Sequence, residues 1–132
     1  MALDTSLNVL VVEDNPNLRK VIVNIVKKLG FASVNEAEDG QQAWEKVEGG
    51  GIQLILADWN MPRMNGLELL QKLRGASGDL ANIPFLMITA ADTKNAILTA
   101  GKEGVDAYII KPFSVNTISE KIEEALNNRA SL

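Results

Sequence analysis

The stretch IQLILADWNMPRMNG, residues 52–66, decides how this chain is read. Its first six residues are apolar almost without a break, the pattern of a strand buried on both faces in a parallel sheet. The segment then ends on an acid, Asp58, and turns at once through Met61-Pro62 and Asn65-Gly66. An acid there can cap or close its own turn. It can also be a reactive carboxylate at the floor of a pocket. The flanking sequence has to choose between the two.

Outward from that strand, the same alternation of periods repeats. NVLVV (8–12) is a β-branched run and predicts a strand. Leu18, Val21, Ile22, Ile25, Val26 and Leu29 then recur at helical spacing. Asn15 is suited to cap that helix, Pro16 to open it and Gly30 to end it. VNEA (34–37) is a weak strand signal. Asp39 and Gln42 have capping-box spacing for a helix with Ala43, Trp44 and Val47 inward, broken by Gly49-Gly50-Gly51. Asn65 with Glu68 caps a third helix holding Leu67, Leu70 and Leu73. GASGDLAN (75–82) predicts a polar, mobile loop. PFLMI (84–88) predicts a strand, 93–101 a helix, and AYII (107–110) a strand stopped by Lys111-Pro112. Ser114 caps a last helix with Ile118, Ile122, Ala125 and Leu126 inward.

The order is βαβαβαβαβα with short connections. It predicts an α/β fold: a five-stranded parallel sheet with helices on both faces, doubly wound in the flavodoxin-like (βα)5 manner. No linker, repeat or low-complexity segment divides the chain, so one domain over 1–132, without an output domain, is expected.

Composition removes several function classes. The chain has 132 residues and neither cysteine nor histidine, which excludes disulfides, thiol catalysis, and imidazole or thiolate metal sites. Thirteen Lys and Arg against seventeen Asp and Glu give a net charge of -4, a poor match to nucleic acid. No apolar run is long enough to span a bilayer, and MALDTSLN lacks the basic and apolar regions of a secretory signal. A cytoplasmic location fits these features.

In an open parallel sheet, ligands bind beyond the carboxyl ends of the strands. Those ends carry Glu13-Asp14, Asp58, Thr89-Ala90-Ala91 and Lys111. Singly, each has a plain explanation as a solvated acid, a turn residue, a cap or a surface lysine. Together they place three acids, a hydroxyl and an ammonium at one edge. Three carboxylates in a small cleft repel one another unless protons or a cation join them. With only oxygen donors, the natural cation is Mg²⁺, which favours carboxylates together with phosphate oxygens. A carboxylate can then act as nucleophile and form an acyl phosphate, with Lys111 and the metal neutralising the transferring oxygens.

At these residues the sequence resembles the receiver domains of bacterial two-component response regulators. VVEDN (11–15), LADWNMPRMNG (56–66), MITA (87–90) and YIIKPF (108–113) match in order. DWNMP with KPF is most similar to single-domain chemotaxis receivers of the CheY type. The resemblance implies Asp58 as phosphoacceptor, and Mg²⁺ held by Glu13, Asp14, Asp58 and the backbone carbonyl of Asn60. It implies contact of Lys111 with the phosphoryl oxygens, a cis bond from Lys111 to Pro112, and a shift of Thr89 toward the phosphate. Tyr108 would turn inward and remodel a face that includes Lys94, Ile97 and Lys121. Asn60 and Ala91 would line the approach of hydrolytic water. The implied partners are a chemotaxis-type histidine kinase, a flagellar motor switch protein and a phosphatase, with the chain itself a monomer and not an enzyme acting on an external substrate.

The sequence departs from the chemotaxis pattern at Glu13, where Asp is usual, at Asn65 before Gly66, and at Ala91, where Glu is frequent. Asn15-Pro16 is more similar to receivers attached to hybrid kinases. A phosphate sink or relay receiver is therefore the alternative within the family. From another class, an aspartate-nucleophile phosphatase would use similar groups, but it generally has a second acid where Asn60 stands and a cap that no insertion here provides. A flavodoxin-like electron carrier fits worse, since EDNPN (13–17) puts acids where a phosphate-cradling loop wants small or hydroxyl residues.

Overall fold

The computed structural model describes residues 3–90 and 93–130. Its elements are β1 (Asn8–Val12), α1 (Pro16–Lys28), β2 (Ser33–Ala37), α2 (Gly40–Glu48), β3 (Leu54–Asp58) and α3 (Gly66–Arg74). A 3₁₀ turn (Gly78–Asn82), β4 (Phe85–Thr89), α4 (Lys94–Lys102), β5 (Ala107–Ile110) and α5 (Val115–Ala130) follow. The five strands form one parallel sheet in the order β2-β1-β3-β4-β5. The chain starts near the middle, steps outward to β2, then crosses back past β1 to β3. The doubly wound (βα)5 architecture is the expected one, and the crevice lies where the order reverses, between β1 and β3.

The near-continuous apolar strands conceal a two-residue alternation. Val9, Val11, Leu54, Leu56, Leu86 and Ile88 bury against one core with Ile22, Val26, Ile118 and Ile122. Leu10, Val12, Ile55, Ala57, Phe85 and Met87 bury against the other with Ala43, Val47, Leu69 and Leu73. Both faces are covered, so neither phase of the alternation can be polar. Each fully buried Leu, Ile or Phe contributes about 1.5–3 kcal/mol relative to exposure. β2 lies at the sheet edge, and in it only Ala37 is fully buried, which explains its weak sequence signal.

Local details refine the expectations. Val21 is 49% exposed. The buried stripe of α1 is Ile22, Val23 and Val26, and Val21 lies about 140° around the helix from Val26. Asp39 caps α2 by accepting the Gln42 N–H at 2.8 Å, but the Gln42 side chain reaches the N–H of Glu38 rather than that of the cap. The Asn65–Glu68 box is complete in both directions. Residues 75–82 are more than a polar loop. They include the 3₁₀ turn, with Leu80 packed on the second core and the Ala81 carbonyl held by Arg74, which also holds the carbonyl of Ile83 just beyond. No described helix is long and apolar enough to cross a membrane.

Candidate functional site

Four strands deliver polar groups to one edge. Asp58 ends β3 and Thr89 ends β4, both buried. Glu13 follows β1 directly and is 1% exposed, while its neighbour Asp14 is open to solvent. Lys111 follows β5. Parallel pairing sets the ends level: Val12 stands opposite Ala37 and Ala57, Asp58 opposite Ile88, and Thr89 opposite Ile110. Two further backbone bonds extend the ladder, from Glu13 to the Ala37 carbonyl at 3.1 Å and from Lys111 to that of Thr89 at 2.9 Å. The Lys111–Pro112 peptide is cis.

The side chains converge. Lys111 Nζ donates to Glu13 Oε1 at 3.2 Å and to Asp58 Oδ2 at 3.3 Å. The other Asp58 oxygen, Oδ1, accepts the Trp59 N–H at 2.7 Å. Glu13 Oε2 accepts the Asn15 N–H at 3.2 Å. Arg19 donates to the Glu13 carbonyl at 2.8 Å while pairing with Glu36 at 3.0 Å, which ties α1 to the ends of β1 and β2. At the start of α3 the chain passes very close to Asp58. A Cβ on Gly66 would stand 2.2 Å from the Asp58 carbonyl oxygen, so only glycine lets the helix begin there.

Electrostatics at this edge are unbalanced. Glu13, Asp14 and Asp58 each offer a carboxylate oxygen, all within 4.8 Å of one another. Burial pushes the Glu13 carboxyl up to about 7, with the Asp14 side chain and the Asp58 charge adding to it. The Asn15 N–H and the Lys111 ammonium oppose the rise without cancelling it. A bound dication would relieve this repulsion directly. The donors are all hard oxygens, and the chain contains no imidazole or thiolate, so the residues fit Mg²⁺.

The remaining expected residues lie as follows. Asn60 is exposed in the loop after β3. Tyr108, in β5, is half-buried, its ring edge-on to Trp59. Lys94 and Ile97 are exposed on α4, and Lys121 on α5 pairs with Glu124 at 3.0 Å. Ile97, Leu98, Ile110 and Val115 leave apolar surface around α4, β5 and α5. Ala91 lies outside the described residues. Sequence reasoning passed over Arg19 and Arg63, which carry no local signature. It also passed over a network at the opposite sheet edge, where Asp106 pairs with Arg74 at 2.8 Å and Arg129 at 3.0 Å and accepts the Phe85 N–H at 2.8 Å.

Residues 9–123 match the family described as response regulator receiver domain. The chain is similar to a chemotaxis protein CheY1 of Helicobacter pylori, 42% identical over 121 residues, covering 91% of this chain and 97% of that protein. It is 37% identical to a chemotaxis protein CheY-3 of Vibrio cholerae over 92% of this chain and 93% of that protein. Among solved structures, it superposes on Vibrio cholerae CheY4 with a TM-score of 0.81 at 25% identity, covering 90% of this chain and 98% of that one.

Proposed function

The chain belongs to the response regulator receiver domain family, of the CheY type, and from that premise we propose that it is a phosphorylation-activated switch charged at Asp58 by a chemotaxis-type histidine kinase. The observation that carries this reading is the bridge from Lys111 to both Asp58 and Glu13. It holds one ammonium between two buried carboxylates at the mouth of the crevice.

Asp58 is the nucleophile. One of its oxygens bonds to phosphorus as the bond from phosphorus to the donor imidazole breaks; the imidazole keeps the electron pair and takes up a proton. Lys111 transfers its contact from the carboxylates to the phosphoryl oxygens, where negative charge accumulates. The Thr89 hydroxyl, at the end of the adjacent strand, donates to the product. Glu13, Asp14, Asp58 and the Asn60 carbonyl are the groups that would hold Mg²⁺, which when bound supplies positive charge to the phosphoryl oxygens. The acyl phosphate then favours an arrangement of Tyr108 and the α4, β5 and α5 surface already accessible to the free protein. The exposed Ile97, Ile110 and Val115 offer the apolar part of that surface to a flagellar switch protein.

The test is labelling by a small phosphodonor with Mg²⁺ present. The wild type should take up one phosphoryl group and Asp58→Asn none; normal labelling of that variant means the nucleophile is misassigned. Binding of the activated protein to a flagellar switch peptide then separates motor control from a phosphate sink, which would accept phosphate from the kinase but leave the peptide unbound.

A further inference from the structure

The loop that carries Asn60 is held in an unfavourable conformation by a side chain the reaction does not use. Arg63 has φ of +66°, in the left-handed region that favours glycine. The Met64 N–H closes back on the Pro62 carbonyl at 2.7 Å, making a three-residue γ-turn centred on Arg63. A residue with no steric licence for that turn needs an outside hold, and its guanidinium has one. Nε and Nη2 of Arg63 reach Asp39 Oδ2 at 2.7 and 2.6 Å. Asp39 is only 3% exposed, and its other oxygen caps α2. Beside this pair, the Gly40 N–H donates to the Met64 carbonyl at 2.9 Å, and a Cβ on Gly40 would stand 2.2 Å from that oxygen. The far end of the loop is closed by Gly66 N–H to the Trp59 carbonyl at 2.8 Å. Asp39 itself lies two residues beyond Ala37, whose carbonyl takes the Glu13 N–H. The ion pair therefore ties the segment bearing Asn60 to the segment that backs Glu13.

We propose that Arg63 and Asp39 are positioning residues for the cation site: their ion pair sets the β3–α3 loop so that the Asn60 carbonyl faces the carboxylates of Glu13, Asp14 and Asp58. The proposal rests on the reading of that cluster as a Mg²⁺ site. It concerns how the loop that carries Asn60 is held, by side chains outside the Glu13, Asp14 and Asp58 cluster. Removing such support should weaken metal affinity by about tenfold, the low end of the effect of residues that orient ligands.

The experiment is a Mg²⁺ titration followed by Trp59 fluorescence in a Trp44→Phe background. Arg63→Gln removes the charge from an exposed side chain, and Asp39→Asn keeps a good helix cap while weakening the pair, so both variants should fold. Each should lower the apparent Mg²⁺ affinity about tenfold, with the double variant no worse than Arg63→Gln alone, because the two act through one contact. Arg63→Lys should recover part of the loss. The decisive variant is Arg63→Gly. Glycine relaxes the turn but supplies no guanidinium, so it should lose Mg²⁺ affinity as Arg63→Gln does. Wild-type affinity in Arg63→Gly overturns the proposal. Additive losses in the double variant do so as well. Asp14→Asn is the control for the underlying site. If it abolishes the response while Arg63→Gln leaves it intact, the site stands and the positioning role falls. If Asp14→Asn leaves the response at the wild-type level, the cation site falls and the proposal with it.

Discussion

The indole of Trp59 meets the ring of Tyr108 edge to face, with centroids 6.5 Å apart and planes at 77°. The same residue donates its backbone N–H to Asp58 Oδ1. One residue thus touches both the proposed phosphoacceptor and the proposed switch aromatic. With Trp44 replaced by Phe, emission should come from Trp59 alone. Mg²⁺, and separately a phosphoryl mimic, should change that emission, and Tyr108→Leu should alter the unliganded spectrum. A flat titration in both cases argues against the cation site and the coupling.

The buried Glu13 carboxyl gives the metal-free protein a defined pH signature. Its folded value, about 7, lies above the ordinary 4.5. The folded state therefore binds the proton more tightly than the unfolded state. The stability this confers is complete below about pH 4.5 and is lost as pH rises to about 7, on the order of 3 kcal/mol. Urea unfolding from pH 4.5 to 8 should show that decline without Mg²⁺, and Glu13→Gln should flatten it. Mg²⁺ has to displace the same proton, so its apparent affinity should rise with pH up to about 7 in the wild type and much less in Glu13→Gln.

Gly66→Ala sets a Cβ against the Asp58 carbonyl oxygen, a backbone atom that cannot swing aside. The α3 N-terminus or the end of β3 has to shift. Destabilisation of about 1–3 kcal/mol is expected from such overpacking, together with loss of phosphodonor labelling because Asp58 moves. A variant as stable as the wild type that labels normally would show that this close approach is dispensable.

Asp106→Ala tests the opposite edge of the sheet. It strands two guanidinium groups that are 15% and 14% exposed and takes an acceptor from Phe85. A loss of about 3–5 kcal/mol in denaturant unfolding is expected. Phosphodonor labelling, measured well below the unfolding transition, should stay near wild type, since nothing at the carboxyl edge is touched. Equal damage to labelling would mean the two edges are coupled.

The arrangement of strands and helices was legible because its causes are local. Apolar runs of strand length, 3.6-residue periodicity and caps such as Asn15 and Asn65 act within a few residues. They name the elements before any long-range contact forms. The acids, hydroxyl and ammonium at the strand ends were legible for the same reason, since a doubly wound sheet brings those ends to one edge. Tertiary structure alone decided how they meet. Lys111 reaches Glu13 across 98 positions of chain and Asp58 across 53, contacts set by strand order and register that no window of sequence contains. Val21 turned outward because the centre of the buried stripe depends on how α1 sits on the sheet. Arg63 was illegible for a related reason. Its left-handed backbone and its grip on Asp39 depend on a loop 24 residues away, and propensity at position 63 argues for neither.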